Sequence, residues 1–154
     1  MIELEIYTDK IAESGRRLIR KAYEEARGRN HNQLAPEHLF LSLAETERPF
    51  FNEVMQSLNL APQVVIQKLE TKLEQGDYLC HGMKISEPLR TLRSNGLKHS
   101  REQGRKTIES KDLFYALFTH THSYPVDLLK QLGADREMVM QKITTRSGDE
   151  EKDG

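Results

Sequence analysis

The chain has 154 residues, of which 36% are hydrophobic and 31% charged, and a formal net charge of −1. That length suits one compact domain or two packed half-domains of about 70 residues. The near-zero charge excludes a general attraction to nucleic acid or an anionic membrane, and no apolar run is long enough for a membrane-spanning helix.

At the start, Ile2, Leu4 and Ile6 alternate with acids, so no signal or transit peptide is expected. Residues 8–28 read as a first long helix. Thr8 is its expected cap, and Ile11, Gly15, Leu18, Ile19, Ala22 and Ala26 recur at helical spacing. Gly28 or Asn30 can end it, because both tolerate a left-handed backbone. Pro36, Pro49 and Pro62 each open a further helix, at a position where the missing N–H would be unpaired anyway. Residues 75–84 hold two glycines and break the pattern, as a linker does. Ser86 is then the expected cap of a fifth helix carrying Pro88, Leu89, Leu92, Gly96 and Leu97, with Gly104 as its stop. A sixth starts at Ser110, a seventh near Pro125 ends at Gly133, and Asp135 caps an eighth. Residues 146–154 lack apolar content and are expected to be disordered, as an acidic tail or the start of a linker. No segment offers a convincing strand alternation.

The two halves repeat at a constant shift of 74 residues. Leu34 falls on Ile108, Leu39 on Leu113, Phe40 on Phe114, Leu43 on Leu117, Leu58 on Leu132 and Leu69 on Ile143. A shift that preserves only apolar register means two copies of one helical packing unit. The expected fold is all-α: two pseudo-twofold four-helix repeats, at 1–74 and 85–145, packed into one compact eight-helix domain. Each repeat alone has a marginal core, so the two are expected to share an interface.

The run Tyr23-Glu24-Glu25-Ala26-Arg27, followed by Asn30-His31-Asn32-Gln33-Leu34-Ala35-Pro36-Glu37-His38-Leu39, resembles the Clp N-terminal repeat. The likeness covers both copies over residues 7–145 and is closest to the ClpC and ClpA types. It implies the N-terminal domain of a Clp/Hsp100 unfoldase, which binds adaptor or substrate proteins for AAA+ ATPase modules in cis or in trans. The chain itself has no G-x-x-x-x-G-K-[ST] loop, since Gly104-Arg105-Lys106-Thr107 is only an echo of one, and it is expected to be non-catalytic and to need no cofactor. It reads either as a domain of a longer ATPase or as a free-standing Clp-repeat regulator, monomeric when alone.

The ClpC-type members bind phosphorylated arginine, and the resemblance carries that pocket onto this chain. A carboxylate accepts from the guanidinium, while a hydroxyl and helix N-terminal amides receive the phosphoryl group. The first pocket would use Thr8 and Glu37. The second would use Ser86 and Lys111, and Lys111 cannot accept from a guanidinium, so that pocket is expected to be inactive. Two departures stand in the first copy. Ala35-Pro36 replaces the usual Gly-Thr, and 14 residues separate Thr8 from Ala22 where the family has about ten. The competing reading is that Thr8 and Glu37 serve only as helix cap and first-turn acid.

Other chemistry is thin. Cys80 is alone, which excludes a disulfide framework and points to a reducing, cytoplasmic compartment. His120-Thr121-His122 has a spacing that a helix would place on different faces, and no Cys or carboxylate cluster completes a metal site. A charge tally gives residues 79–145 a mild excess, 11 Lys+Arg against 7 Asp+Glu. Arg90, Arg93, Lys98, Arg101, Arg105 and Lys106 therefore form the only candidate stripe for nucleic acid, and they read better as solvated helix faces.

Overall fold

A computed structural model describes residues 10–79 and 84–153 of the chain. The described residues form eight α-helices: α1 Glu13–Gly28, α2 Pro36–Thr46, α3 Arg48–Ser57, α4 Pro62–Gln75, α5 Leu92–Glu102, α6 Ser110–Leu117, α7 Tyr124–Gln131 and α8 Arg136–Asp153. A proline stands at the first helical position of α2 and α4 and at the second of α3 and α7, as the sequence predicts. The fold is all-α.

Several boundaries differ from the sequence reading, each for a local reason. Helix α1 starts at Glu13 with Ala12 in the capping position, so Thr8 is not its cap; Thr8 itself lies outside the described residues. The counting anomaly is thereby removed, because Ala12 is the residue ten positions before Ala22. Ser86 leads into a single 3₁₀ turn, Glu87–Leu89, and its side chain makes no capping hydrogen bond. The α-helix follows only at Leu92. Helix α8 runs on to Asp153, past residue 145. Glu and Lys, frequent in that stretch of sequence, extend a nucleated helix at little cost.

The strand-free expectation also needs correcting. Gln33–Leu34 (β1) and Lys84–Ile85 (β2) pair in parallel, with Leu34 opposite Ile85, and Ile11 bridges Ile108 in the same sense. These two pairings are one arrangement repeated at the 74-residue shift, since Ile11 maps to Ile85 and Leu34 to Ile108. Ser86 N–H donates to Leu34 O at 2.8 Å, and its counterpart Ala12 N–H donates to Ile108 O at 2.9 Å. Each repeat therefore sends its lead-in segment across to the turn of the other. The left-handed residues fall in the same register. Asn30 (φ 60) corresponds to Gly104 (φ 81), and Asn59 (φ 61) to Gly133 (φ 106).

Between the repeats lies an aromatic core. Phe40 and Phe114, themselves equivalent, sit 5.8 Å apart between ring centroids, with Phe51 and Phe118 packed edge-on against Phe40 at 5.5 Å each. All four are fully buried, as the shared interface requires.

The turn before each second helix is pinned by a different chemistry in the two copies. In the first, Ala35 N–H donates to His38 Nδ1 at 3.0 Å. That nitrogen is therefore unprotonated, so the proton sits on Nε2 and is donated to His31 Nδ1 at 2.9 Å. In the second, Glu109 N–H donates to Asp112 Oδ2 at 2.8 Å, and Arg105 Nη2 donates to Asp112 Oδ1 at 2.5 Å. Arg105 and Asp112 are the counterparts of His31 and His38. A neutral pair in one repeat thus replaces an ion pair in the other.

Two predictions follow from these contacts. A Cβ on Gly15 would stand 2.8 Å from Ile108 O and 3.0 Å from Ile11 Cγ2, at the bridge between repeats, whereas one on Gly28 meets nothing within 4 Å. Gly15→Ala is expected to destabilise by about 1–3 kcal/mol in urea titration, and Gly28→Ala to leave stability equal or slightly raised. Equal midpoints for the two variants would refute the close approach. The second prediction concerns acid. Burial, then His31 and Arg29, lower His38 to about 4 from 6.5. Above pH 6.5 neither folded nor unfolded chain binds this proton. Between 6.5 and 4 only the unfolded chain does, so stability falls as the pH falls, by about 3 kcal/mol in all. The double change His31→Arg with His38→Asp is expected to retain the fold and flatten that slope, read as urea midpoints from pH 7 to 4.5. Parallel slopes in the two proteins would rule it out.

Candidate functional site

The start of α2 sets the site. Pro36 takes the first helical position and Glu37 the second, where the helix dipole favours a carboxylate. Glu37 is buried to 6% exposure, yet it lines an open cleft of about 480 Å³. Tyr78, in the segment that leaves α4, donates its hydroxyl to Glu37 Oε2 at 2.5 Å. Its ring stacks on His31 at 4.5 Å and meets the edge of His38 at 5.0 Å. Burial, reinforced by Glu37, raises the Tyr78 pKa, so the phenol keeps its proton and goes on donating. Burial likewise lowers His31, with Arg29 adding to the effect. The carboxylate is thus held by neutral groups.

The remaining walls come from three other elements. The 3₁₀ turn brings Ser86 and Pro88, α4 brings Lys72, and the start of α7 brings Ser123, Tyr124 and Asp127. Tyr124 ties α7 to α4 by donating to Lys68 O at 3.3 Å, and Lys72 Nζ lies 5.3 Å from the centre of its ring. Burial raises the Tyr124 pKa too, with Glu37 contributing. Ser123 Oγ is shielded and has no hydrogen-bond partner among the described residues. Three carboxylates, Glu37, Asp77 and Asp127, and one ammonium, Lys72, line the cleft. None of the four is in an ion pair among the described residues. Elsewhere charges are routinely paired, as with Lys21 and Glu45 at 3.4 Å or Arg146 and Glu53 at 3.3 Å.

The equivalent place in the other half is smaller and filled. It encloses about 180 Å³ among Ser14, Glu47, Phe50, Glu109, Ser110 and Lys111. Ser110 N–H donates to Ser14 Oγ at 3.0 Å, and the Ser110 hydroxyl donates to Glu47. Lys111 Nζ lies 3.6 Å from Glu109 Oε1.

The structure regroups the residues that sequence reasoning assigned. Glu37 and Ser86, placed in different pockets by sequence, line the same cleft, because the lead-in segments cross between repeats. In register, the counterpart of Ser86 is Ala12 rather than Thr8. The Lys111 site therefore lacks a carboxylate in the Glu37 position, and its capping position has no hydroxyl. Tyr78, Lys72, Ser123 and Asp127 went unrecognised. Nothing in their spacing links them, since they converge only through the packing of α4 and α7 beside the turn. His122 also lines the cleft, in the irregular stretch before α7. Cys80 and His81 lie outside the described residues. No described helix is long and apolar enough to cross a membrane.

Comparison with known proteins gives the family. Among solved structures, the Hsp104 N-terminal domain of Candida albicans superposes with a TM-score of 0.76 at 13% identity, covering 91% of this chain and 93% of that one. The N-terminal domain of the chaperone ClpD from Arabidopsis thaliana gives 0.70 at 16%, over 92% and 97%. The ClpV N-domain of Vibrio cholerae gives 0.68 at 19%, over 94% and 92%. At such identities these likenesses speak for the fold. The family itself rests on the Clp repeat (R) N-terminal domain profile, which matches residues 10–152. Matched over nearly its whole length, in both repeats, the chain belongs to the Clp repeat N-terminal domain family.

Proposed function

We propose that this non-catalytic domain docks adaptor or substrate proteins for a Clp-type ATP-dependent unfoldase, and that the Glu37 cleft receives an arginine side chain of the docked protein. One observation carries this reading: three carboxylates gather in one cleft and none is spent on an internal cation. Such a cleft attracts a guanidinium, whose planar fork matches a carboxylate better than an ammonium does. Phosphorylated arginine, which the family resemblance implies, fits the same place. Its phosphoryl group would meet the Ser86 hydroxyl and the unpartnered Ser123 hydroxyl. The AAA+ modules served by the domain would act in cis or in trans.

The reading also assigns the two halves unequal roles. On the other side, both carboxylates of the smaller cavity are engaged, Glu109 by Lys111 and Glu47 by the Ser110 hydroxyl. Docking is therefore placed on the Glu37 side. The nucleic-acid alternative loses a member of its stripe, because Arg105 is held by Asp112 and lies 3.8 Å from Glu109.

Glu37→Gln keeps the side-chain volume and can still accept from Tyr78 while removing the charge. Capture of client or adaptor proteins by the immobilised domain is expected to fall roughly 10- to 100-fold, the range for losing a charge-assisted hydrogen bond. Ser86→Ala is expected to weaken capture of phosphorylated clients more than that of unmodified ones. Capture unchanged by Glu37→Gln, with the fold intact by circular dichroism, would defeat the arginine reading.

A further inference from the structure

The Glu37 cleft does not end at Lys72 and Tyr124. A second depression of about 540 Å³ continues beyond them between α4 and α7, and both residues line each of the two. Its α4 wall carries Val64, Lys68, Thr71 and Gln75. At about 1.5 Å of rise per residue, Lys68 lies roughly 10 Å along α4 from Gln75, the last residue of the helix and two residues before Asp77 of the first cleft. That is the reach of about three residues of extended chain.

Charge changes sign along this path. No carboxylate lines the second depression, since Glu70 and Glu74 of α4 are not among its walls. Lys68 is exposed, and neither it nor Lys72 has an ion pair among the described residues. Lys72 is steadied over the Tyr124 ring at the junction. At the far end, Val64 is 41% exposed and Leu128 joins it in the wall.

We propose that the two depressions form one docking track for an extended peptide segment, with arginine in the Glu37 cleft and an acidic side chain two to four residues away on Lys68 and Lys72. This rests on the arginine reading of the cleft and adds a second determinant to it. The neighbouring acid sets which arginines are taken, because oppositely charged groups in fixed order select register as well as partner.

The test uses fluorescein-labelled synthetic peptides titrated by anisotropy against the 154-residue chain. Each peptide holds one arginine, unmodified or phosphorylated, with glutamate or glutamine three residues away on either side. Wild-type protein is expected to bind the better glutamate peptide roughly fivefold tighter than its glutamine twin at low salt, a gap that closes at high salt. Lys68→Glu, an exposed change on one helix face, is expected to reverse that preference. Glu37→Gln is expected to weaken both peptides by the same factor, preserving their ratio. Equal wild-type affinity for glutamate and glutamine peptides, or a ratio that survives Lys68→Glu, overturns the track and leaves the Glu37 cleft standing. Binding indifferent to Glu37→Gln overturns the arginine reading and the track together.

Discussion

The exchange of lead-in segments between repeats is the constraint on which the rest of the molecule depends. A buried backbone amide must find an acceptor, and here Ser86 finds Leu34 while Ala12 finds Ile108. Each acceptor belongs to the other half. A repeat folded alone would leave its turn without the strand that covers it, in addition to exposing Phe40 or Phe114. The close approach at Gly15, and the similar one at Gly96, where a Cβ would lie 3.2 Å from Ile108 Cγ2, show how tightly the crossing is packed. The halves are therefore one folding unit by backbone hydrogen bonding as well as by apolar burial.

The same exchange makes the cleft composite. Glu37 belongs to the first repeat and Ser86 to the start of the second, yet they share a wall because β2 lies beside β1. Asp127 and Ser123 arrive from the second repeat, while Lys72 comes from the end of the first and Tyr78 from the linker after it. No single repeat contains the site. A domain built from two copies thus gains a cleft that neither copy has.

Much of the fold was legible in the sequence, since apolar register and proline placement are local signals. The 74-residue shift identifies Ile11 with Ile85 and Leu34 with Ile108 without ambiguity. What it leaves open is whether an equivalent pair forms within a repeat or between repeats, because both arrangements obey the same twofold relation. Pairing Thr8 with Glu37 assumes the within-repeat solution, whereas Ser86, from the other half, is the described hydroxyl that lines the Glu37 cleft. Two-residue strands also leave no alternation to detect. Glu37 was recognisable by its motif; Tyr78, in a linker, was not, because its importance lies in a contact 41 residues distant in the chain.

Comparing the twin turns explains why a neutral pair suits the first repeat. In the second, Arg105 brings a guanidinium onto Asp112, and nothing nearby needs to remain uncompensated. In the first, His31 stacks on Tyr78, whose hydroxyl bonds Glu37. An arginine in place of His31 would hold a permanent positive charge beside that carboxylate, in a partly buried setting where screening is weak. It would then compete with an arriving guanidinium for the same field. The two histidines fix the turn by hydrogen bonds alone, and burial keeps them uncharged near neutral pH. The neutral pair in the first turn and the ion pair in the second thus divide the molecule electrostatically: the carboxylates remain open on the Glu37 side, while the opposite side satisfies its own charges internally.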